Sequence, residues 1–162
     1  MHPPASAVLL RAEPYGSEGP RWVVAQAEAE LVARYGSLDD GELGLTAAMF
    51  DPPAGAFLVA RVHDDSAPVG GVGVRTVAPG VGEVRRLWVD PTRRGHGIGR
   101  SLMTGLEAEA LSLGLSSLIL ATGDRQPEAV GLYAAAGWER LHVDQDGAPL
   151  PRWHVRFSKV IG

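Results

Sequence analysis

The sequence predicts an α+β domain, a mixed and mostly antiparallel sheet of six to seven strands flanked by about four helices. Three observations predict it. Three strand-like runs between Phe57 and Val89 are separated only by short turns, which makes an antiparallel meander. A glycine-rich turn then opens a segment whose apolar residues step by three and four, at Ile98, Leu102, Leu106, Ala110 and Leu113. After it, short apolar runs suited to strands alternate with one more helical pattern, so strands and helices share one layered core.

Taken in order, residues 6–12 read as the first strand, and Tyr15 to Pro20 form a breaker cluster. A helix from about Pro20 to Tyr35 follows, with Val24, Ala27, Leu31 and Tyr35 at helical spacing and Gly36 as its C-cap. Residues 39–49 read as a second, weaker helix, ended by Pro52-Pro53-Ala54-Gly55. Phe57–Val62, residues 69–77 and Glu83–Val89 form the meander, turning at His63–Ser66 and at Pro79-Gly80. The helix from Gly97 to about Leu113 stops at Gly114. Leu118–Ala121 is a short buried strand, residues 127–136 are helical with Pro127 in the first turn, and Trp138–Val143 and Trp153–Ser158 are the last strands. With 162 residues, no internal repeat and no long linker, the expectation is one domain over 1–162.

Composition removes whole classes of chemistry. The chain has no cysteine, so disulfides, thiolate–metal sites and cysteine nucleophiles are excluded. Its five histidines show no metal-ligand spacing, and no metal is assigned. A net charge of −4 argues against nucleic acid as a partner, because such binding leans on a basic surface. No apolar run approaches the ~20 residues of a membrane span, and the N-terminus has no basic region of the signal-peptide kind. These features together predict a cytoplasmic protein without a membrane partner.

The informative stretch is Glu83 to Leu102, EVRRLWVDPTRRGHGIGRSL. A strand runs into Asp90-Pro91, then a turn bearing Arg93 and Arg94, then glycines at 95, 97 and 99, then a helix. Glycines let a backbone come close to a ligand and adopt positive φ. The helix start presents N–H groups and the positive end of a dipole, which suits a phosphate. Arg94 and Arg100 add charge there without making the whole protein basic. A dinucleotide fold is disfavoured, because a meander precedes the turn rather than a βαβ unit. A nucleotide P-loop is disfavoured too, since no Gly-Lys-Ser/Thr closes the motif.

Arg94-Gly95-His96-Gly97-Ile98-Gly99 resembles the Arg/Gln-x-x-Gly-x-Gly signature of the GNAT superfamily of acyl-CoA N-acyltransferases. Leu87-Trp88-Val89-Asp90-Pro91 is similar to the strand and proline that precede that signature. Ala129 to Trp138, with Leu132-Tyr133 and Gly137-Trp138, resembles the family's second signature. The resemblance is strong over 83–138 and weak over 1–50.

The resemblance implies a GNAT-like fold in which two strands, here 83–89 and 118–122, splay apart to bind acetyl-CoA. It implies that backbone groups of Gly95, His96, Gly97, Ile98, Gly99 and Arg100, with Arg94 beside them, hold the pyrophosphate of coenzyme A. The backbone at Leu87, Trp88 and Val89 would pair with the pantetheine arm, and an N–H near Leu87 would polarise the thioester carbonyl. Gln126 stands where relatives carry a cofactor-contacting asparagine. Tyr133 is the general-acid candidate for the departing thiolate, a phenol of pKa ~10 against ~8.5 for a thiol. Glu83 is the general-base candidate, acting through water; Asp124 and Glu128 are alternatives, and an exposed glutamate paired with Arg85 or Arg61 is the bland one. His96 is expected to face solvent, while Trp22, Trp88, Trp138 and Trp153 are expected to pack. Ala121 replaces a carboxylate common in relatives that acetylate protein N-termini.

The expected reaction is acetyl transfer from acetyl-CoA to a primary amine by direct attack in a ternary complex. The acceptor is a small molecule or a peptide amine. Acidic residues including Glu28, Glu30, Asp39, Asp40 and Glu42 hint at a cationic one, if they are more than a solvated helix face. Two other readings stand beside it: a non-catalytic acyl-CoA sensor, and a toxin-like acetylase of aminoacyl-tRNA, which the net charge disfavours. Homodimerisation by exchange of C-terminal strands stays open.

Overall fold

The computed structural model describes residues 8–38, 44–123, 126–144, 146–151 and 154–162. One seven-stranded sheet runs through it in the order β1-β2-β3-β4-β5-β7-β6. The strands are β1 (Leu9–Ala12), β2 (Gly55–Arg61), β3 (Gly70–Ala78), β4 (Val81–Val89), β5 (Ser117–Gly123), β6 (Glu139–Leu141) and β7 (His154–Val160). Every neighbouring pair is antiparallel except β4 and β5, which are parallel. Three α-helices pack on the sheet: α1 (Glu18–Tyr35), α2 (Ile98–Ser112) and α3 (Pro127–Ala135). None of the described helices is long and apolar enough to cross a membrane.

The two faces of the sheet bury different clusters. On one face the α2 stripe of Ile98, Leu102, Leu106 and Ala110 sinks against Leu58, Val72, Val74, Val84, Leu118 and Phe157, and α3 adds Tyr133. Each large apolar side chain so buried contributes about 1.5–3 kcal/mol. On the other face α1 brings Val23 and Ala27 onto Phe57, Val59 and Trp88, with Phe50 beside them. α1 ends at Gly36, whose φ of 85° lets its N–H reach the Val32 carbonyl.

The expected fold class holds, with one helix fewer among the described residues. At the end of the segment 39–49 read as a second helix, and one residue past it, Ala47–Phe50 form a single 3₁₀ turn that sends Phe50 into the α1-side core. Residues 39–43 lie outside the described residues, as do Ser6 and Trp153 at the starts of the expected first and last strands. The turn wins over a helix because burying Phe50 against Tyr15 and Phe57 needs only a few residues of chain.

Candidate functional site

The site begins with a fault in β4. Gly71 faces Trp88 and Gly73 faces Arg85, so Arg86 and Leu87 both stand opposite Val72. This is a β-bulge, and Arg86 takes a φ of 61°, rare for a residue with a side chain. The bulge reverses which residues look where. Before it, Val84 faces the α2 side; after it, Leu87 and Val89 do, while Trp88 has moved to the α1 side. Period-two alternation would have kept even-numbered residues on one face throughout.

Beyond the start of β4, its parallel partner leaves. β4 and β5 pair only from Val81↔Ser117 to Glu83↔Ile119, whereas β5 stays paired with β7 as far as Gly123↔His154. The second half of β4 therefore turns an unpaired backbone edge toward the gap, and backbone groups without partners are a ready template for an added strand. Two cavities occupy the gap. A groove of about 400 Å³ runs beside Leu87–Val89 and the Gly-rich turn, with Gln126 and Leu132 on its far wall. A slot of about 80 Å³ continues between α1, β4, β5 and Tyr133. The cavities share Glu30, Leu87, Gln126 and Ala129, so they form one passage.

At the groove's other end lies the cradle. Asp90 caps the turn of Pro91–Arg93 by accepting from the Thr92 N–H and hydroxyl. The Thr92 N–H holds its carboxyl below the usual carboxylate value. Gly95 and Gly97 follow at φ 82° and 84°, a left-handed backbone that costs an L-residue roughly 1–2 kcal/mol. Gly97 is the N-cap of α2, so the first N–H groups of that helix open toward the groove without intrahelical acceptors. A Cβ on Gly99 would stand 3.1 Å from Leu132 Cδ2, pinching the groove against α3. An open cradle of N–H donors, an unpaired strand edge and a groove joining them fit an elongated ligand with a phosphate end, as coenzyme A is.

The other expected residues fall into two groups. Trp88, Val89, Arg94, Ile98, Arg100 and Gln126 line the groove. Arg94 is held rather than loose: its Nε donates to the Val89 carbonyl and its Nη2 reaches both oxygens of Glu30 at 2.7 and 2.9 Å. His96 is exposed and turned back, its Nδ1 3.1 Å from the Arg93 carbonyl. Trp88 meets Trp22 edge to face at 5.4 Å. Tyr133 lines the slot, 5% exposed, packed on Trp138 and Phe157. Burial pushes its pKa well above the phenol value, further from neutrality, so the charged form is disfavoured in the slot.

Glu83 sits on the paired half of β4. Its Oε1 accepts from Arg75 Nε and Arg85 Nη1, each at 3.1 Å. It adjoins the slot through Arg85, which lines it. Glu128 lines the groove and pairs with Arg34 of α1; Asp124 is outside the described residues.

The reading of the sequence missed two features. One is Glu30, the α1 carboxylate that fastens Arg94 across the groove mouth. The other is Arg86, 2% exposed at its side chain and ion-paired to Glu28 at 3.0 Å. A signal for the bulge was present in Val84-Arg85-Arg86-Leu87-Trp88-Val89, where two adjacent charges and three adjacent apolar residues break strand alternation.

A passage between parted parallel strands, ending in a glycine cradle at a helix start, defines a fold built to hold an extended phosphate-bearing ligand. The model of the Acetyltransferase (GNAT) family matches residues 15–138, and the chain belongs to that family. An IAA acetyltransferase from Azospirillum brasilense is 43% identical over 82 residues, covering 51% of this chain and 53% of that protein. A mycothiol acetyltransferase from Kineococcus radiotolerans is 34% identical over 156 residues, 92% of this chain and 49% of that protein. The chain thus spans about half the length of these curated relatives. A GNAT family acetyltransferase from Elizabethkingia anophelis, solved with acetyl-CoA bound, superposes with a TM-score of 0.64 at 15% identity, over 95% of this chain and 98% of that one. At that identity the likeness is one of fold.

Proposed function

We propose that this chain is an acetyl-CoA-dependent N-acetyltransferase acting on a primary amine. The observation that carries this is the continuity of the cradle, the open edge of β4 and the slot lined by Tyr133. Bound acetyl-CoA would supply an activated acyl carbon for an amine to attack. The chain's own residues do the rest. N–H groups from Gly97 to Arg100 hold the pyrophosphate, and the edge of β4 from Leu87 to Val89 aligns the arm. An N–H at the bulge near Leu87 would be available to the carbonyl oxygen, where a fixed donor lowers the barrier. Tyr133, which lines the slot and carries its proton at neutral pH, would be the proton donor to the departing sulfur. Glu83, which stands between the Arg75 and Arg85 guanidiniums, is the proposed acceptor of the amine proton through water.

Calorimetric titration with acetyl-CoA, followed by assay of free CoA over an amine panel, tests the reading. Tight binding and amine-dependent release are expected. Folded protein that binds no acetyl-CoA would refute it, and binding without release by any amine would leave an acyl-CoA sensor.

A further inference from the structure

We infer that the acceptor carries a carboxylate, and that the arginine-walled slot recognises it. This rests on the transferase reading above and names its substrate class as a small amino acid or a similar amino-carboxylate.

The charged residues lining the slot, among those described, are Arg34, Arg85, Arg86 and Glu30. Glu30 is engaged by Arg94 through two short hydrogen bonds. Three of the acids paired with the arginines stand outside the lining. Glu83 holds Arg85, Glu28 holds Arg86, and Glu128 holds Arg34, with Glu30 a further 3.6 Å neighbour of Arg34. The described lining thus brings three guanidiniums and one carboxylate, Glu30, to the slot. Among the described residues, β5, α3 and the residue before α3 add no charge to it, contributing Leu120, Ala121, Thr122, Gln126, Ala129 and Tyr133.

Arg86 makes the case sharper. A buried guanidinium is costly to desolvate, and here the chain also adopts a positive φ to place it. The bulge brings Arg85 and Arg86, neighbours in sequence, to the same cavity. A planar guanidinium matches a carboxylate with two parallel hydrogen bonds, and in a narrow, poorly solvated slot the attraction is stronger than in water. The α1 acids that hinted at a cationic acceptor do not form a free acidic rim, because Glu28 and Glu30 each hold an arginine. The slot's small volume suits a short acceptor. In the transfer, the amine nitrogen bonds to the acyl carbon as the carbon–sulfur bond breaks. The amine proton leaves to water or a base, and the thiolate gains one.

The test is CoA release from acetyl-CoA with the twenty free amino acids, their carboxamides and the matching decarboxylated amines. At least one amino acid should be accepted with kcat/KM tenfold or more above its amide. Arg85→Gln and Arg86→Lys should each raise KM for that acid at least tenfold and erase the acid-over-amide preference, with the Kd for acetyl-CoA changed less than threefold. Arg85→Gln serves even if Arg86→Lys folds poorly. Equal or better use of amides or decarboxylated amines overturns the inference. So does acceptance of no amino acid by protein that binds acetyl-CoA. Protein that binds no acetyl-CoA takes down the transferase reading itself.

Discussion

β4 is one strand with two occupations. Its first half, Val81 to Glu83, is hydrogen-bonded on both sides, and Gly82 is buried at the contact with β5. Its second half keeps β3 but loses β5, passes through a bulge, and gives its free edge to the groove. The first half is bound by packing and the second by what it must leave open. Substitutions should therefore divide into those that cost stability and those that cost binding or turnover.

The largest effect is expected where the second half meets the cradle. Gly97→Val puts a β-branched side chain at a φ of 84°, a conformation it is strained to adopt. The affinity for acetyl-CoA should fall at least a hundredfold, roughly 2.7 kcal/mol, while circular dichroism stays native. Unchanged affinity in folded protein would break the comparison. Next in size is Tyr133→Phe, which should lower kcat by about 10²-fold and leave acetyl-CoA binding alone. A fall in affinity with kcat intact would make Tyr133 a wall rather than an acid.

The opposite signature belongs to the first half. A Cβ on Gly82 would stand 2.7 Å from Leu115 Cδ1 and 2.8 Å from Val74 Cγ2. Gly82→Val should then cost about 1–3 kcal/mol in denaturant unfolding, with the affinity of the folded fraction unchanged. Smaller again is Glu30→Gln, which weakens a partly exposed pair with Arg94 and should cost less than about 1 kcal/mol.

The smallest effect is in pH. Tyr133 has a pKa raised by burial above its ordinary 10.0. Its contribution to stability is thus complete below pH 10 and is lost as pH rises from there through the folded-state value. Wild-type protein should lose Tm above pH 10 more steeply than Tyr133→Phe. Parallel slopes would mean the phenol is better solvated than its burial implies.

The cradle was legible in the sequence because its requirements are local. Positive φ at Gly95 and Gly97 and the amphipathic run that follows are written into neighbouring residues. The meander and the stripe from Ile98 to Ala110 were readable for the same reason. The slot was not, because its charges come from α1 and β4, far apart in sequence, and meet only in the fold. Acids on α1 looked like a rim in one dimension, and Glu83 looked available. In three dimensions each of Glu28, Glu30 and Glu83 has found a guanidinium, two of them supplied by Arg86 in the bulge and Arg85 just before it. Ala47–Phe50 failed as a helix because one buried phenylalanine outweighed a weak periodic pattern.

The most direct test of the central claim is amide hydrogen exchange with and without acetyl-CoA. Leu87 to Val89 and Ile98 to Arg100 should gain protection, while Gly82 to Val84, already paired, should not change. Protection absent from both segments, in protein that binds acetyl-CoA, would place the cofactor elsewhere and contradict the account.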